Sequence, residues 1–133
     1  MDIITIDFET YYSKAFGFKK LTTEQYVRSS DFEVIGVAVK VNNGKTDWLS
    51  GNYEDLKTYL GDNYDWGNAA VLAHNTLFDG AILHWLFGIR CKLYFDTLSM
   101  ARALHGVDTS ASLKSLSEMY GIGQKGDEVI KAE

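Results

Sequence analysis

Two acidic residues near the start of the chain, Asp7 and Glu9, have the type and spacing of metal ligands. They belong to the segment Ile3–Thr10, in which apolar and polar residues alternate, a pattern that predicts a β-strand. Strand geometry places the two carboxylates on one face, where they repel each other. A divalent cation would offset this repulsion, because hard cations bind carboxylate oxygens. The alternative is an amphipathic edge strand with a solvated polar face, and these residues alone do not decide between the two.

A third carboxylate, Asp79, lies in the segment His74–Leu83, which follows a predicted buried strand and begins a helix. The junction between a strand and the next helix is where α/β proteins commonly bind ligands. Asp79 shares a helical face with Ile82, Leu83 and Leu86, so we expect its side chain to point toward the sheet. A carboxylate in that position needs a partner. The structural alternative is an anion that merely stabilises the first turn of the helix.

The pattern of strands predicted around these residues indicates one α/β domain. The segments Phe32–Val41 and Lys45–Leu49 flank the turn Asn42-Asn43-Gly44, so the first three strands should form an antiparallel meander. The apolar run Ala69–Ala73 is typical of a strand buried on both faces. A brief strand is predicted at Leu93–Phe95.

Helices are predicted between and after these strands, several of them with a capping residue at the start. Their predicted ranges are Thr23–Ser29, Tyr53–Leu60 after a Ser50 or Asn52 cap, Leu77–Phe87, a helix from the Asp96 cap to Leu104, and one from a Ser110 or Ser112 cap to Tyr120. Gly121 should end the last helix, and residues 121–133 are expected to be a loose tail. This order of elements indicates a mixed sheet with helices on its faces.

Length and composition favour a single packed domain. The 133 residues are 46% hydrophobic and 14% aromatic, which supports a core and argues against disorder. We find no apolar run long enough to cross a bilayer and no export signal, so the expected location is cytoplasmic. The single cysteine, Cys91, excludes an internal disulfide and fits a reducing compartment.

Charge is unevenly distributed along the chain. The formal net charge of −5 excludes a nucleic-acid binder held by bulk positive charge. Four basic residues nevertheless cluster early, against the single acid Glu24: Lys14, Lys19, Lys20 and Arg28. A basic loop beside an acidic site can hold a polyanion, although charge alone favours an ordinary solvated surface.

Two motifs resemble the first two motifs of the DEDD family of 3′–5′ exonucleases: Ile6-Asp7-Phe8-Glu9-Thr10 and Ala73-His74-Asn75-Thr76-Leu77-Phe78-Asp79. The later segment Phe95–Gly106 resembles the version found in bacteriophage polymerases of the bacterial polymerase I type. Leu113–Leu116 and Tyr120–Gly123 continue this similarity, so the resemblance covers nearly the whole chain. The family fold implied is ribonuclease H-like, an α/β fold with a mixed sheet.

The resemblance also implies roles for individual residues. Asp7, Glu9 and Asp79 would be catalytic metal ligands for Mg²⁺ or Mn²⁺, of which the family uses two ions. Thr10, Asn75 and Phe78 match positions that contact the terminal nucleotide; for Phe78, core packing is an equally good interpretation.

The chain departs from the family at its third motif, a Tyr or His followed four residues later by the last catalytic Asp. His105 is followed by Asp108 after only three residues, and Tyr120 is followed by Gln124 at four. Asp127 has Gly123 four residues before it. We therefore expect the family's C-terminal helix, its general base and its fourth carboxylate to be missing from this chain. His74 and His84 offer no replacement, because the first adjoins a helix start and the second is predicted to be at the surface.

The function implied by the resemblance is the proofreading exonuclease domain of a DNA polymerase, weak or inactive as this chain alone. Its partners would be the 3′ end of single-stranded DNA and a polymerase domain in cis or in trans, in a bacterial host cytoplasm if phage-encoded. The alternatives are an RNA-directed exonuclease of the same fold and a non-catalytic fragment or piece of a split polymerase.

Overall fold

Five strands form one mixed sheet in the structure, a computed structural model that describes residues 1–11, 22–106 and 108–123. The strands are β1 (Asp2–Thr10), β2 (Val34–Val41), β3 (Thr46–Ser50), β4 (Ala69–Ala73) and β5 (Leu93–Asp96). Their spatial order is β3-β2-β1-β4-β5. β1 pairs with β2, and β2 with β3, in antiparallel fashion, whereas β4 pairs in parallel with both β1 and β5. The predicted antiparallel meander with added parallel strands is thereby confirmed.

Five α-helices are described: α1 (Thr23–Arg28), α2 (Tyr53–Asn63), α3 (Thr76–Ala81), α4 (Thr97–His105) and α5 (Leu113–Tyr120). A 3₁₀ turn at Trp66–Asn68 precedes β4. Asn52, Asp96 and Ser112 each cap a helix through their side chains, and Gly121 ends α5 with a φ of 65°. These caps confirm the predicted helix starts. No described helix is long and apolar enough to cross a membrane.

The predicted helix Leu77–Phe87 is wrong in one respect, because its second half is not α-helical. After α3 the chain forms a π-helical turn at Ile82–Leu86, in which the Phe87 amide donates to the Ile82 carbonyl. The five-residue period places Phe87 beneath Ile82, so that both side chains are buried. Phe87 then stacks on Phe8 with ring centroids 5.8 Å apart. Packing against β1 therefore prevails over a regular α-helix.

The hydrophobic core lies on the face of the sheet opposite Asp7 and Glu9. Ile4, Ile6 and Phe8 of β1 are each at most 3% exposed and pack with residues of β2, α2 and the π-helical turn. The predicted inward residues of α2, Leu56 and Leu60, belong to this core. β1 consequently has one apolar face that anchors it and one polar face that carries the acidic pair.

Three basic residues of the predicted early cluster, Lys14, Lys19 and Lys20, lie outside the described residues. So do residues 124–133, which make up most of the predicted loose tail.

Candidate metal and nucleic-acid site

A single hydrogen bond joins the helix that carries Asp79 to the strand that carries Asp7 and Glu9. Asp79 is 3% exposed, and its Oδ1 accepts the Phe8 amide hydrogen at 2.9 Å. β4 pairs with β1 only as far as Thr5, whereas β1 continues to Thr10. Asp79 thus accepts a hydrogen bond from a backbone amide in the part of β1 that lies beyond its pairing with β4. The inward orientation predicted from helical periodicity is confirmed.

Asp79 lies in an electrostatic environment that opposes its negative charge. Burial raises the pKa of Asp79 to about 7, the Phe8 amide partly offsets this rise, and the charges of Asp7 and Glu9 add to it. The three carboxylates therefore interact with one another. A bound cation would stabilise all three in their charged form.

Asp7 and Glu9 differ in exposure, since Asp7 is exposed and Glu9 is half-buried. Their oxygens, with those of Asp79, form a donor set that suits hard divalent cations and excludes sites built on cysteine or histidine. In the described part of the chain, however, no three His, Cys, Asp or Glu side chains are arranged closely enough to hold a metal ion as they stand. The chemistry of the three carboxylates fits Mg²⁺, but these residues alone do not complete the coordination of an ion.

The predicted nucleotide contacts Thr10 and Phe78 meet at one tyrosine. Thr10 is 9% exposed, and its Oγ1 lies 2.9 Å from the Tyr26 hydroxyl. Because the Tyr26 hydroxyl donates its only hydrogen to the Tyr11 carbonyl, the Thr10 hydroxyl is the donor to Tyr26. The Tyr26 ring also stacks on Phe78 with centroids 6.1 Å apart. The sequence predicted a short helix at Thr23–Ser29, and the structure shows that a Thr22–Gln25 capping box begins it. No sequence signal indicated that Tyr26 would bond Thr10.

Asn75, the third predicted nucleotide contact, occupies the turn between β4 and α3 in a left-handed conformation with a φ of 70°. Its amide donates to Asp96 Oδ1 at 2.8 Å, and the same oxygen accepts the Leu98 amide at 3.0 Å. Asp96 therefore both caps α4, as predicted, and holds the Asn75 turn in place. Burial alone would raise the pKa of Asp96, but hydrogen bonds, first that of Ser99, outweigh burial and lower it.

The histidines have structural partners. Nε2 of His74 lies 2.7 Å from the Ala111 carbonyl, so Nε2 carries the proton, and Nδ1 lies 2.9 Å from Thr97 Oγ1. His84 is half-buried rather than at the surface. His105 hydrogen-bonds the Tyr120 hydroxyl and so joins α4 to α5.

An open apolar groove of about 510 Å³ begins beside Asp7 and runs between the sheet, α4 and α5. Several of its apolar residues are at least 41% exposed to solvent: Met100 (48%), Leu104 (73%), Leu113 (41%), Tyr120 (52%) and Ile122 (77%). Apolar surface of this extent is typical of a face that another segment covers.

No family model matches the sequence, and no curated protein matches it either. Solved structures do match. The Brucella melitensis NrnC structure with bound Mg²⁺ is 18% identical, with a TM-score of 0.59 and coverage of 96% of this chain and 57% of that one. The same protein bound to pGG gives 17% identity, a TM-score of 0.59 and coverage of 96% and 57%. A chain in the structure of the yeast NOT1 MIF4G domain co-crystallized with CAF1 is 11% identical, with a TM-score of 0.67. That match covers 92% of this chain and 70% of the other.

These similarities establish the fold. The predicted ribonuclease H-like α/β architecture, a five-stranded mixed sheet flanked by helices, is confirmed. At these identities the fold is shared, whereas the site and its activity must be argued from this chain's own residues. The chain spans about 57% of the length of the NrnC chains it matches.

Proposed function

We propose that this chain is a metal-dependent 3′–5′ exonuclease domain that hydrolyses the 3′-terminal phosphodiester of single-stranded DNA, as in polymerase proofreading. The observation that supports it best is the hydrogen bond from the Phe8 amide to Asp79, which holds a third carboxylate against the acidic pair Asp7 and Glu9. The fold shared with Brucella melitensis NrnC, whose structure contains bound Mg²⁺, supports the metal dependence of this assignment.

In this proposal Asp7, Glu9 and Asp79 bind Mg²⁺ or Mn²⁺ through their oxygens. Bound cations of this kind activate a water molecule and stabilise the leaving 3′ oxygen. Asn75 and the end of β1 at Thr10 contact the terminal nucleotide, and Phe78 meets its base. Because the Thr10 hydroxyl is already bonded to Tyr26, the contact from Thr10 is through its backbone.

We further propose that the site is incomplete in this chain and that the apolar groove receives the missing helix. The groove opens beside Asp7, where a further ligand and a water-orienting group would be needed. Residues that follow in a longer polypeptide, or a separate polymerase chain, would supply that helix. The isolated chain should consequently have very weak activity or none.

Thermal unfolding with Mn²⁺ tests the metal site. We expect millimolar Mn²⁺ to raise the melting temperature of the wild type, because an ion that binds the folded state stabilises it. Asp7→Asn should abolish most of the rise, whereas Asp62→Asn, an exposed acid on α2, should keep it. The absence of any rise in the wild type would refute the metal site.

Hydrolysis of labelled single strands tests the rest of the proposal. DNA and RNA oligonucleotides of one sequence should both be cleaved far more slowly than by a complete exonuclease. Cleavage at an ordinary rate that Asp7→Ala abolishes would refute incompleteness. A marked preference for RNA would favour the alternative of an RNA-directed exonuclease, which the structural similarity to a protein bound to pGG also supports.

A further inference from the structure

Strand register extends the face of Asp7 and Glu9 across β2 to β3. Asp7 pairs with Ala38, which pairs with Trp48, and directly opposed residues share a face of the sheet. In the neighbouring row Glu9 pairs with Gly36. Trp48 therefore lies on the face of Asp7 and Glu9, two strand spacings or about 10 Å from β1.

The Trp48 ring packs over Gly36 on this face. A Cβ atom at Gly36 would lie 2.6 Å from Cζ2 and 2.7 Å from Cη2 of Trp48, so the six-membered ring fills the space of the absent side chain. The ring thus leans over β2 toward the row of Glu9. Trp48 is nevertheless 54% exposed, which leaves much of an immobilised aromatic surface open to solvent.

A basic residue, Lys40, is a neighbour of Trp48 on this face. Lys40 pairs with Thr5 on one side and with Thr46 on the other, so it occupies the same face one row from Asp7 and Trp48. As a diagonal neighbour of Trp48 its Cβ is about 7–8 Å away, within reach of a long side chain. Within the described ranges no salt bridge includes Lys40, since the one present joins Arg28 and Glu24.

We propose that Trp48 and Lys40, above the small residues Gly36 and Ala38, form a binding subsite for a nucleotide upstream of the scissile one. Its base stacks on Trp48 and its phosphate meets Lys40. Proteins that bind single strands without sequence preference combine aromatic side chains, on which bases stack, with basic residues that contact the phosphates. The distance from the carboxylates assigns the base to an upstream nucleotide. This inference rests on the proposed nuclease function, because that function places a single strand on this face.

Affinity for a 5′-labelled oligothymidylate, measured by fluorescence anisotropy with Ca²⁺ in place of Mg²⁺, tests the subsite. Trp48→Ala should weaken binding about tenfold or more, and Trp48→Phe should retain most of it. Lys40→Met should reduce the slope of log affinity against log salt by about 0.7, the value for one phosphate contact on a single strand. A dinucleotide, which ends before the subsite, should bind all three variants like the wild type.

Intrinsic fluorescence supplies a second readout that does not depend on the Trp48→Ala variant, in case that variant folds poorly. The chain has three tryptophans, of which Trp85 is 39% exposed and lies beneath the Arg28 guanidinium, outside this face. Oligothymidylate should quench wild-type fluorescence; Trp48→Phe should lose most of the quenching, and Trp85→Phe should keep it.

The outcomes separate this inference from the function on which it rests. Oligonucleotide affinity and quenching that are indifferent to Trp48, in protein that still binds Mn²⁺, would overturn the subsite alone. Trp48 would then be a surface that another protein segment covers. If the wild type does not bind Mn²⁺, the proposed function itself would be overturned.

Discussion

Asp79 and Phe8 are 71 positions apart in the sequence, yet the Oδ1 atom of one lies 2.9 Å from the amide nitrogen of the other. This hydrogen bond fixes α3 against the part of β1 that β4 does not cover, and it does so between the two positions that carry Asp7 and Glu9. The neighbouring carboxylates and the burial of Asp79 together make its ionisation unfavourable in the absence of a cation.

The first prediction concerns the pH dependence of the metal-free protein. The pKa of Asp79 is about 7 in the folded state, against about 3.9 for an unfolded aspartate. Between these values the folded state holds a proton that the unfolded state has released. The contribution of Asp79 to the free energy of unfolding should therefore fall as pH rises from about 4 to about 7.

Asp79→Asn isolates this effect, because the asparagine oxygen can still accept the Phe8 amide while the side chain no longer titrates. In chelator-treated protein, the melting temperature of the variant relative to the wild type should increase over that pH interval. Parallel curves across the interval would contradict the raised pKa.

The second prediction separates the backbone and side-chain roles of Asn75. The left-handed region costs most residues about 1 kcal/mol or more, but glycine and asparagine tolerate it, and Asn75 has a φ of 70°. Asn75→Gly should match the stability of the wild type, whereas Asn75→Ala should lower the free energy of unfolding by about 1 kcal/mol, as measured in denaturant. Both variants should bind an oligonucleotide more weakly if the amide side chain contacts the terminal nucleotide. Unchanged binding by Asn75→Gly would assign Asn75 a purely structural role.

The third prediction concerns the hydroxyl of Tyr26, which bonds Thr10 and the Tyr11 carbonyl at a buried position. Tyr26→Phe should lower the free energy of unfolding by about 1–2 kcal/mol, because it leaves two polar groups without this partner. Tyr53→Phe is the matched control: its hydroxyl donates to the Leu86 carbonyl at 2.8 Å, but on a residue that is 40% exposed. We expect a loss well below that of Tyr26→Phe, since water can replace the bond.

A double-mutant cycle with Thr10→Val measures the same interaction directly. The combined loss in Tyr26→Phe/Thr10→Val should be smaller than the sum of the single losses, because both single changes remove one shared bond. Strict additivity would show that the two hydroxyls are not coupled.

The fourth prediction concerns the seat of the Trp48 ring. Gly36→Ala should lower the free energy of unfolding by about 1–3 kcal/mol, because its Cβ would meet the ring at 2.6 Å and the Leu49 carbonyl at 2.7 Å. Gly61→Ala, inside α2 with nothing within 4 Å of the added atom, should be neutral or stabilising by up to about 1 kcal/mol. Equal stability of the two variants in denaturant would show that the ring is not held there.

Sequence patterns anticipated the elements well where the physical signal is local. The alternation along β1, the continuous apolar run of β4 and the side-chain caps Asn52, Asp96 and Ser112 all appear in the structure at the expected places. The π-helical turn after α3 was missed, because periodicity within a segment does not report which partner the segment packs against. Here that partner is Phe8, a residue of a distant strand.

The candidate site was anticipated only as a set of residue types. Asp7 and Glu9 on one face follow from the period of a strand, and the inward side of Asp79 follows from the period of a helix. Neither the Tyr26 bond to Thr10 nor the pairing of Asp7 through Ala38 to Trp48 can be read from spacing, since each depends on how separate elements are ordered and registered.

The sequence by itself therefore determined which residues have the donor chemistry that suits a divalent cation and on which side of its own element each one lies, because backbone geometry repeats with a known period. Tertiary structure alone decided that Asp79 reaches the Phe8 amide, that burial raises its pKa to about 7, and that Trp48 lies over Gly36 on the acidic face. These outcomes depend on strand order, register and burial, which are set by contacts between residues far apart in the chain.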